Sequence, residues 1–290
     1  MSSGQVTTAV LPVAGMGTRF LPVTKASPKE MLPIIDKPLI HYAVQEAIDA
    51  GITRLIFVTS YTKRAIEDYF DTNYEMESRL AARGKTDLLA KVQGMIPNGV
   101  SIAYVRQPEP RGLGDAILCA APLVGDQPFA VLLADDVIAS SGQPDLKTMI
   151  QRYQRSASSV LAVEEVAPQD TGSYGIVSLA GDSREVTSIV EKPDPSVAPS
   201  TLAVIGRYVL SPAIMPLLQQ AEPGVGGEVQ LTDAIAQLLQ RESVEVHAIS
   251  GKRYDCGSKE GWFEATLEFA CQNPRLAAIL EKKRAAAVEE

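Results

Sequence analysis

Two adjacent carboxylates, Asp135 and Asp136, directly follow the apolar run of residues 129–133. Such a run is typical of a strand in a parallel sheet that is covered on both faces, and open α/β sheets bind their ligands at the carboxyl ends of such strands. Acids are costly to desolvate there unless a cation pairs with them, so a hard divalent metal is the simplest interpretation. Asp255 is a second candidate ligand, and turn capping is the alternative for one member of the pair.

A glycine loop, AGMGTR at residues 14–19, follows the β-rich run of residues 8–13. Glycines at the end of a first parallel strand let backbone N–H groups approach a phosphate or a base. Arg19, Lys25 and Lys29 follow in a stretch that prolines at 22, 28 and 33 keep from forming a long helix. Three cations beside backbone amides predict a triphosphate cradle. A solvated basic loop is the alternative.

Two better-known glycine motifs do not fit this loop. No Gly-Lys-Ser/Thr follows at the spacing of a Walker A motif, and Phe20 stands where a dinucleotide fingerprint requires a third small residue. A nicotinamide dehydrogenase would also place a helix where this chain has prolines. Both motif interpretations are therefore rejected.

A third group surrounds Gln107, which follows the predicted strand of residues 102–105. A glutamine amide carries a donor and an acceptor, and both can pair with the amide edge of uracil. The glycines of the run GLG, at residues 112–114, would let a base lie against bare backbone. An ordinary helix start after an exposed glutamine is the alternative.

The elements that must position these groups alternate along the chain. Strands are predicted at residues 8–13, 55–59, 102–105 and 129–133, with helices at 38–50, from 62 onward and at 115–123. This order predicts an α/β fold: a Rossmann-like, doubly wound mixed sheet with helices on both faces. Residues 74–96 form a predicted helical insertion, and strands at 160–163, 175–179, 186–190 and 202–208 extend the same sheet. Asn273-Pro274 is predicted to open a terminal helix.

We expect one domain over residues 1–290. Within it we expect two successive parts (about 1–142 and about 143–262) and a C-terminal helical region (about 263–290).

Composition excludes several classes of protein. With 290 residues, 46% hydrophobic and a net charge of −8, the chain suits a globular domain whose anionic ligands must meet a local cluster of cations. Nothing basic and aromatic runs together, so nucleic-acid binding is not expected. Three cysteines without CxxC spacing and two distant histidines argue against disulfides and a zinc site. No apolar run approaches a membrane span and no basic region precedes the N-terminal apolar stretch, so a cytoplasmic protein is expected.

The run AGMGTRFLPVTKASPKEMLP resembles the signature of the sugar-nucleotide pyrophosphorylases, most narrowly their bacterial uridylyl branch. Further matches follow in order: RQPEPRGLGDAI, FAVLLADD, YGIV, EKP, GRYVL, GGEVQLTDAI and RYDCG. Together they span residues from about 10 to 262. The resemblance implies the nucleotidyltransferase type A fold and transfer of UMP from UTP to glucose 1-phosphate. The products would be UDP-glucose and pyrophosphate, the cofactor would be Mg²⁺, and the protein would be a homo-oligomer, either a dimer or a tetramer.

The resemblance implies that the part of about 1–142 is a nucleotide-binding half and that the part of about 143–262 is a sugar-binding half. It also implies roles for individual residues. Three implied catalytic cations are Arg19, Lys29 and Lys192, of which the first two bind phosphates and the third neutralises the attacking sugar phosphate. The implied nucleotide-binding residues are Ala14, Gly15, Gly17, Glu30, Gln107 and Gly112. The implied sugar-binding residues are Gly175, Glu191, Val204 and Glu228. The implied metal ligands are Asp135 and Asp255, with Asp136 supporting them from behind. We interpret Thr232 as an N-cap.

Two rival functions share some of these features. A thymidylyltransferase acting on the same sugar would share the glycine loop and the EKP turn, but the 74–96 insertion and the RYDCG and LLADD runs favour the uridylyl branch. A non-catalytic nucleotide-sugar sensor should have lost a phosphate-binding cation or a metal carboxylate, and here all are present.

Overall fold

The computed structural model describes residues 4–140 and 142–289. Residues 1–3, 141 and 290, which belong to the expected domain of residues 1–290, lie outside the described residues. The strands are β1 (Thr8–Pro12), β2 (Pro33–Ile34), β3 (Lys37–Pro38), β4 (Arg54–Thr59), β5 (Ser101–Arg106), β6 (Phe129–Leu132), β7 (Asp136–Ala139), β8 (Ser159–Glu165), β9 (Gly175–Leu179), β10 (Val186–Glu191), β11 (Leu202–Leu210), β12 (Val244–Ala248) and β13 (Lys252–Asp255). The helices are α1 (Leu39–Asp49), α2 (Arg64–Phe70), α3 (Tyr74–Ala82), α4 (Thr86–Gln93), α5 (Leu113–Cys119), α6 (Ala121–Val124), α7 (Asp145–Ser156), α8 (Ile214–Gln220), α9 (Leu231–Leu238), α10 (Lys259–Cys271) and α11 (Pro274–Glu289).

One large mixed sheet organises the chain. In the part that the structure describes, it runs in the order β10-β9-β11-β6-β1-β4-β5, and β8 joins β11 to β12. The neighbours β6, β1, β4 and β5 are parallel, whereas β11 is antiparallel to β6, β8 and β9. The predicted α/β class and the extension of one sheet by the later strands are therefore confirmed.

Burial of both sheet faces explains the apolar strands. β1 and β6 alternate their side chains between two cores: Val10 and Val131 point into one, while Leu11 and Leu132 point into the other. Helices cover both faces, so neither set of side chains meets water. No helix in the described residues is long and apolar enough to cross a membrane.

Several predicted helices differ in their bounds from the observed ones, and the helix predicted from residue 62 begins at Arg64. The insertion of residues 74–96 forms two helices, α3 and α4, with a break at Gly84, whose φ of +64° is left-handed. The helix predicted at 115–123 starts at Leu113 and gives way to α6 after Cys119, because Pro122 sits in the first turn of a new helix. The terminal helix begins at Pro274 as predicted, with Asn273 accepting a hydrogen bond from the amide of Arg275 at 3.1 Å.

A two-stranded ribbon, β7 with β13, lies beside the large sheet and carries Asp136 at one end, opposite Asp255. Asp145, at the start of α7, joins this region to β12. Its buried carboxylate accepts hydrogen bonds from the amides of Ser250 and Gly251 at 2.9 and 3.2 Å and shares one with His247 Nε2 at 2.9 Å. Burial alone would raise the pKa of the Asp145 carboxyl, but these hydrogen bonds outweigh burial and lower the pKa to about 2.

We predict that Asp145→Asn lowers the free energy of unfolding near neutral pH by about 1–3 kcal/mol, because hydrogen bonds to a charged acceptor are lost. The folded-state pKa lies below the ordinary value of 3.8, so the stabilisation is present above that value and is lost as the pH falls towards about 2. The gap between wild type and variant should therefore narrow over this range in urea titrations. The matched control is Asp49→Asn, at an exposed carboxylate, which should change stability little. A gap independent of pH would contradict the assignment.

Candidate functional site

Two cavities open at the carboxyl edge of the parallel strands and meet at three residues, Leu113, Leu133 and Asp135. The first cavity is lined by Pro12, Ala14, Gly15, Met16, Gly17, Thr18, Lys29, Glu30, Gln107, Pro110, Gly112, Ala116 and Glu228 in addition to the shared three. The second is lined by Asp136, Ser173, Tyr174, Gly175, Glu191, Lys192, Val204, Ile205, Gly206, Tyr208, Gln230, Leu231, Thr232, Arg253 and Asp255 in addition to the shared three. A group in one cavity could thus meet a group in the other beside Asp135.

The residues predicted to bind a nucleotide all line the first cavity, from Ala14 in the glycine loop to Gly112 at the start of α5. Three of the four predicted sugar-binding residues, Gly175, Glu191 and Val204, line the second cavity. Glu228 instead lines the first. The neighbouring Val229 exchanges backbone hydrogen bonds with Arg111 (2.7 Å) and Gly114 (2.9 Å), which holds Glu228 against the start of α5.

The shared carboxylate, Asp135, is paired with Lys29. Lys29 Nζ donates to Asp135 Oδ2 at 2.6 Å, and both side chains are about three-quarters buried. Burial acts to lower the pKa of Lys29 and to raise the pKa of Asp135. The attraction between the two charges is stronger, so the pKa of Lys29 is raised and the pKa of Asp135 is lowered. Both groups are therefore ionised near neutral pH.

Asp135 and Asp255 converge on Gly257, which has no side chain to separate them. A Cβ at Gly257 would lie 3.0 Å from Asp135 Oδ2 and 2.9 Å from Asp255 Oδ1. Arg19 Nη1 would lie 3.6 Å from the same point. The two predicted metal ligands and one predicted phosphate-binding cation are thus brought together, although they are far apart in the sequence.

The three cations expected to form a triphosphate cradle do not stay together. Lys29 contacts Asp135 in the first cavity and Arg19 approaches Gly257, but Lys25 is exposed and lines neither cavity. The prolines divide this stretch into three short turns, Thr18–Phe20, Val23–Lys25 and Lys29–Met31, with one cation on each. Lys29 lines the first cavity whereas Arg19 and Lys25 line neither, so the expected grouping of all three cations is not observed.

Gln107 is buried and its amide is already engaged. Its nitrogen donates to Asp115 Oδ2 at 2.7 Å and to the carbonyl oxygen of Gly112 at 3.2 Å. The expectation that it offers a base both a donor and an acceptor is therefore wrong for the donor. Only the carbonyl oxygen of the amide is left for a ligand.

Glu30 lines the first cavity but is ion-paired with Lys63 at 2.8 Å, both side chains being almost fully buried. Burial raises the pKa of the Glu30 carboxyl although Lys63 and Lys29 oppose that shift. Sequence analysis missed Lys63, because a lysine in the Tyr-Thr-Lys-Arg turn carries no signal that it turns inward.

In the second cavity Glu191 is held at both oxygens. Lys192 Nζ lies 3.1 Å from Oε1, and Thr232 Oγ1 donates to Oε2 at 2.9 Å. The interpretation of Thr232 as an N-cap is wrong: Gln230 occupies that position, and Thr232 lies within the first turn of α9 with its hydroxyl on Glu191. Lys192 has a φ of +43°, a conformation that non-glycine residues adopt rarely and that is common at functional sites.

Behind Asp135, the side chain of Asp136 contacts protein groups. Its Oδ2 accepts a hydrogen bond from the amide of Gly206 at 2.9 Å, and its Oδ1 pairs with Arg253 Nε at 2.5 Å. A Cβ at Gly206 would collide with the Asp136 carboxylate and with Leu133, so glycine is required at this close approach. This geometry fits the expected supporting role of Asp136.

Arg253 is the most consequential residue that sequence analysis missed. Its guanidinium is buried between Asp136 and Tyr174, with Nη1 3.4 Å from Tyr174 Oη and 3.5 Å from Glu164. Burial acts to lower the pKa of Arg253, but Asp136 and Tyr174 raise it further than burial lowers it. Its place in the RYDCG run, two residues before Asp255, was the available signal.

Comparisons with known proteins show which family this chain resembles in sequence and in fold. The profile of the family described as "Nucleotidyl transferase" matches residues 8–272. A UTP–glucose-1-phosphate uridylyltransferase of Bacillus subtilis is 48% identical over 275 residues, covering 94% of each chain. A UTP-bound UGPase from Acinetobacter baumannii superposes with a TM-score of 0.89 at 45% identity, covering 97% of this chain and 99% of that one. A UDP-glucose pyrophosphorylase complexed with UDP-glucose superposes with a TM-score of 0.85 at 43% identity, covering 92% of this chain and 100% of that one.

Removing the buried guanidinium should leave Asp136 as an uncompensated charge. We predict that Arg253→Met lowers the free energy of unfolding by about 3–5 kcal/mol, measured by urea titration. The neighbouring Lys252→Met is a matched control, because its pair with Glu264 lies in solvent and should barely affect stability. Equal effects of the two substitutions would show that Arg253 is not the counter-charge of Asp136.

Proposed function

Since this chain belongs to the nucleotidyl transferase family, we propose that it transfers UMP from UTP to glucose 1-phosphate, releasing pyrophosphate and forming UDP-glucose. The observation that carries this proposal is the meeting of two cavities at Asp135. The first takes UTP and the second takes glucose 1-phosphate, so the α-phosphate and the sugar phosphate meet beside that carboxylate.

The nucleotide is bound by backbone and by few side chains. Amides of Ala14, Gly15 and Gly17 lie where the first strand ends, and Gly112 leaves room for the base beside Gln107. Residues 1–142 thus supply most of the first cavity, which is the nucleotide half of the domain in this proposal. Residues 143–262 supply most of the second.

A divalent cation fits between the two carboxylates that face Gly257. Mg²⁺ in phosphoryl-transfer sites is typically held by one or two carboxylates, with substrate phosphates and water completing its shell. Asp135 and Asp255 provide that number, and in the described residues no cluster of three or more acids, histidines or cysteines offers another site. Bound there, Mg²⁺ would supply charge stabilisation to the phosphates of both substrates.

The reaction is an in-line displacement at the α-phosphorus. A phosphate oxygen of glucose 1-phosphate forms a bond to that phosphorus, the bond to the β-phosphate oxygen breaks, and pyrophosphate leaves with the electron pair. The chain contributes positioning and charge: Lys29 and Arg19 bind phosphate oxygens on the nucleotide side, and Lys192 binds the attacking phosphate.

No covalent enzyme intermediate is part of this proposal. Cys256 lies beside Asp255, but it is buried, and burial together with the nearby acids raises the pKa of its thiol to about 12. The thiol is therefore protonated and a poor nucleophile near neutral pH.

The sugar lies against Gly175 and Val204 with its hydroxyls on Glu191. Glu191 remains an acceptor for neighbouring hydroxyls, because carboxylate oxygens have several lone pairs and only one partner holds each. Glu228, which lines the first cavity, contacts the nucleotide in this arrangement. Assembly as a dimer or tetramer is part of this proposal, and it is supported by the apolar surface groove that is lined by Phe20, Leu21, Val23, Trp262 and Phe263.

The uridylyl function is favoured over its rivals. The 48% identical relative is a uridylyltransferase, which favours UTP over dTTP. A non-catalytic sensor would have no use for Lys29, Asp135 and Asp255 in one place, yet all three converge here.

The direct test measures pyrophosphate release from UTP, dTTP, CTP, ATP and GTP with glucose 1-phosphate, with Mg²⁺ and with excess EDTA. We expect UTP to give the highest kcat/KM, UDP-glucose to accumulate, and EDTA to abolish turnover. Pyrophosphate release that is fastest with dTTP would assign the chain to the thymidylyl branch, and no release with any nucleotide would support the sensor.

A substitution at Lys192 tests whether this side chain stabilises the transition state or only binds the substrate. Lys192→Met keeps most of the side-chain length, and we expect kcat to fall ~10²-fold or more in both directions, because the positive charge matters most as phosphate oxygens crowd around phosphorus. The equilibrium constant stays unchanged. The matched variant Glu191→Gln should mainly raise KM for glucose 1-phosphate. A nearly normal kcat in Lys192→Met would show that Lys192 binds glucose 1-phosphate but does not stabilise the transition state.

A further inference from the structure

The orientation of the Gln107 amide is decided by its surroundings. Its two neighbours on the protein side, Asp115 Oδ2 and the carbonyl oxygen of Gly112, are both acceptors, so the amide nitrogen must face them. In the described part of the chain no donor reaches Gln107 Oε1. The side chain therefore presents its oxygen, and not its nitrogen, to the first cavity.

Asp115 is itself held as an acceptor. It is buried in the first turn of α5, and Arg111 Nη2 pairs with its Oδ1 at 2.9 Å. With Oδ1 facing a guanidinium, Oδ2 is the atom available to Gln107. A half-turn of the Gln107 amide would bring its oxygen against both Asp115 and the Gly112 carbonyl, which is strongly unfavourable for buried groups.

We propose that Asp115 is a positioning residue for base selection, because it locks Gln107 as a pure acceptor that takes uracil and rejects cytosine. Uracil carries an N–H donor at N3, whereas N3 of cytosine is an acceptor. An oxygen at this point forms a hydrogen bond with the first and is repelled by the second. The inference depends on the proposed function, in which the base lies beside Gln107. Thymine has the same donor as uracil, so this contact does not discriminate against dTTP.

The test substitutes Asp115→Asn, which keeps size and shape. Arg111 and Gln107 both donate to Asp115, so the single oxygen of the new amide cannot accept from both. When that oxygen turns towards Arg111, the amide nitrogen faces Gln107. The Gln107 amide then has a donor on one side and the Gly112 carbonyl on the other, and it no longer has one preferred orientation. We expect the ratio of kcat/KM for UTP to that for CTP to fall at least ~10-fold.

Three further variants are compared with Asp115→Asn. Arg111→Met removes the outer ion pair but leaves the Asp115 carboxylate, and the UTP-to-CTP ratio should stay within about threefold of wild type. Gln107→Ala removes the amide that contacts the base, and the UTP-to-CTP ratio should fall at least as far as in Asp115→Asn. Asp115→Ala removes both carboxylate oxygens and should also lower the ratio. Dissociation constants for UTP and CTP from calorimetry, together with melting temperatures, separate base selection from folding.

The outcomes are distinguishable. A variant Asp115→Asn that loses activity with both nucleotides in equal proportion would make Asp115 a merely structural residue and overturn this inference, while the UTP-dependent activity of the wild type would still stand. An unchanged ratio in Gln107→Ala would likewise overturn it by removing Gln107 from the base. Wild-type protein that forms no UDP-glucose would refute the proposed function itself.

Discussion

Pairing of carboxylates with cations at the carboxyl edge of the sheet is the constraint on which the rest of this structure depends. Asp135 and Asp136 end a buried strand, where an unpaired charge would be costly. Asp135 is paired with Lys29, 106 residues away, and Asp136 with Arg253, 117 residues away. The glycine loop region and the β7–β13 ribbon must therefore close on the same strand end, which brings the two cavities together.

The two acids of this pair have different surroundings. Asp135 is partly accessible and lies between both cavities, so a ligand or a metal can reach it. Asp136 is turned towards the Gly206 amide and Arg253, and Arg207 donates to its backbone oxygen at 2.7 Å. Asp135 thus stays accessible between the two cavities, while Asp136 ties β11 and β13 to the end of β6.

The side chains that face the two cavities are held in place by hydrogen bonds with neighbouring residues. Gln107 and Glu191 face the cavities, but Asp115 and Thr232 behind them decide which atoms are left for a ligand. Pre-oriented groups of this kind bind without reorganisation, since their rotamers are fixed before the ligand arrives. In the proposed function, specificity thus depends partly on Asp115, which lines neither cavity.

The fold class follows from local signals in the sequence, and the ordered motifs predict residues that line the two cavities. Apolar runs ending in glycine or acid mark the parallel strands and their ligand-binding ends, and the ordered motifs place Asp135 and Gln107 at those ends. Glu191 and Lys192 follow from the EKP motif alone, at the end of the antiparallel strand β10. Helix bounds were less well determined: the break at Pro122 depends on a choice between continuing and restarting a helix, which packing decides.

Only the tertiary structure decided which charges meet. Sequence spacing placed three cations in one loop, but short turns send Lys25 into solvent and Lys29 to Asp135. Lys63 carries no local pattern that predicts its burial, and the RYDCG run does not show which acid Arg253 neutralises, because both acids lie on other elements of the chain. Pairing between distant residues is a property of the packed fold. The sequence shows which charged residues are present, and the three-dimensional structure shows which of them form pairs.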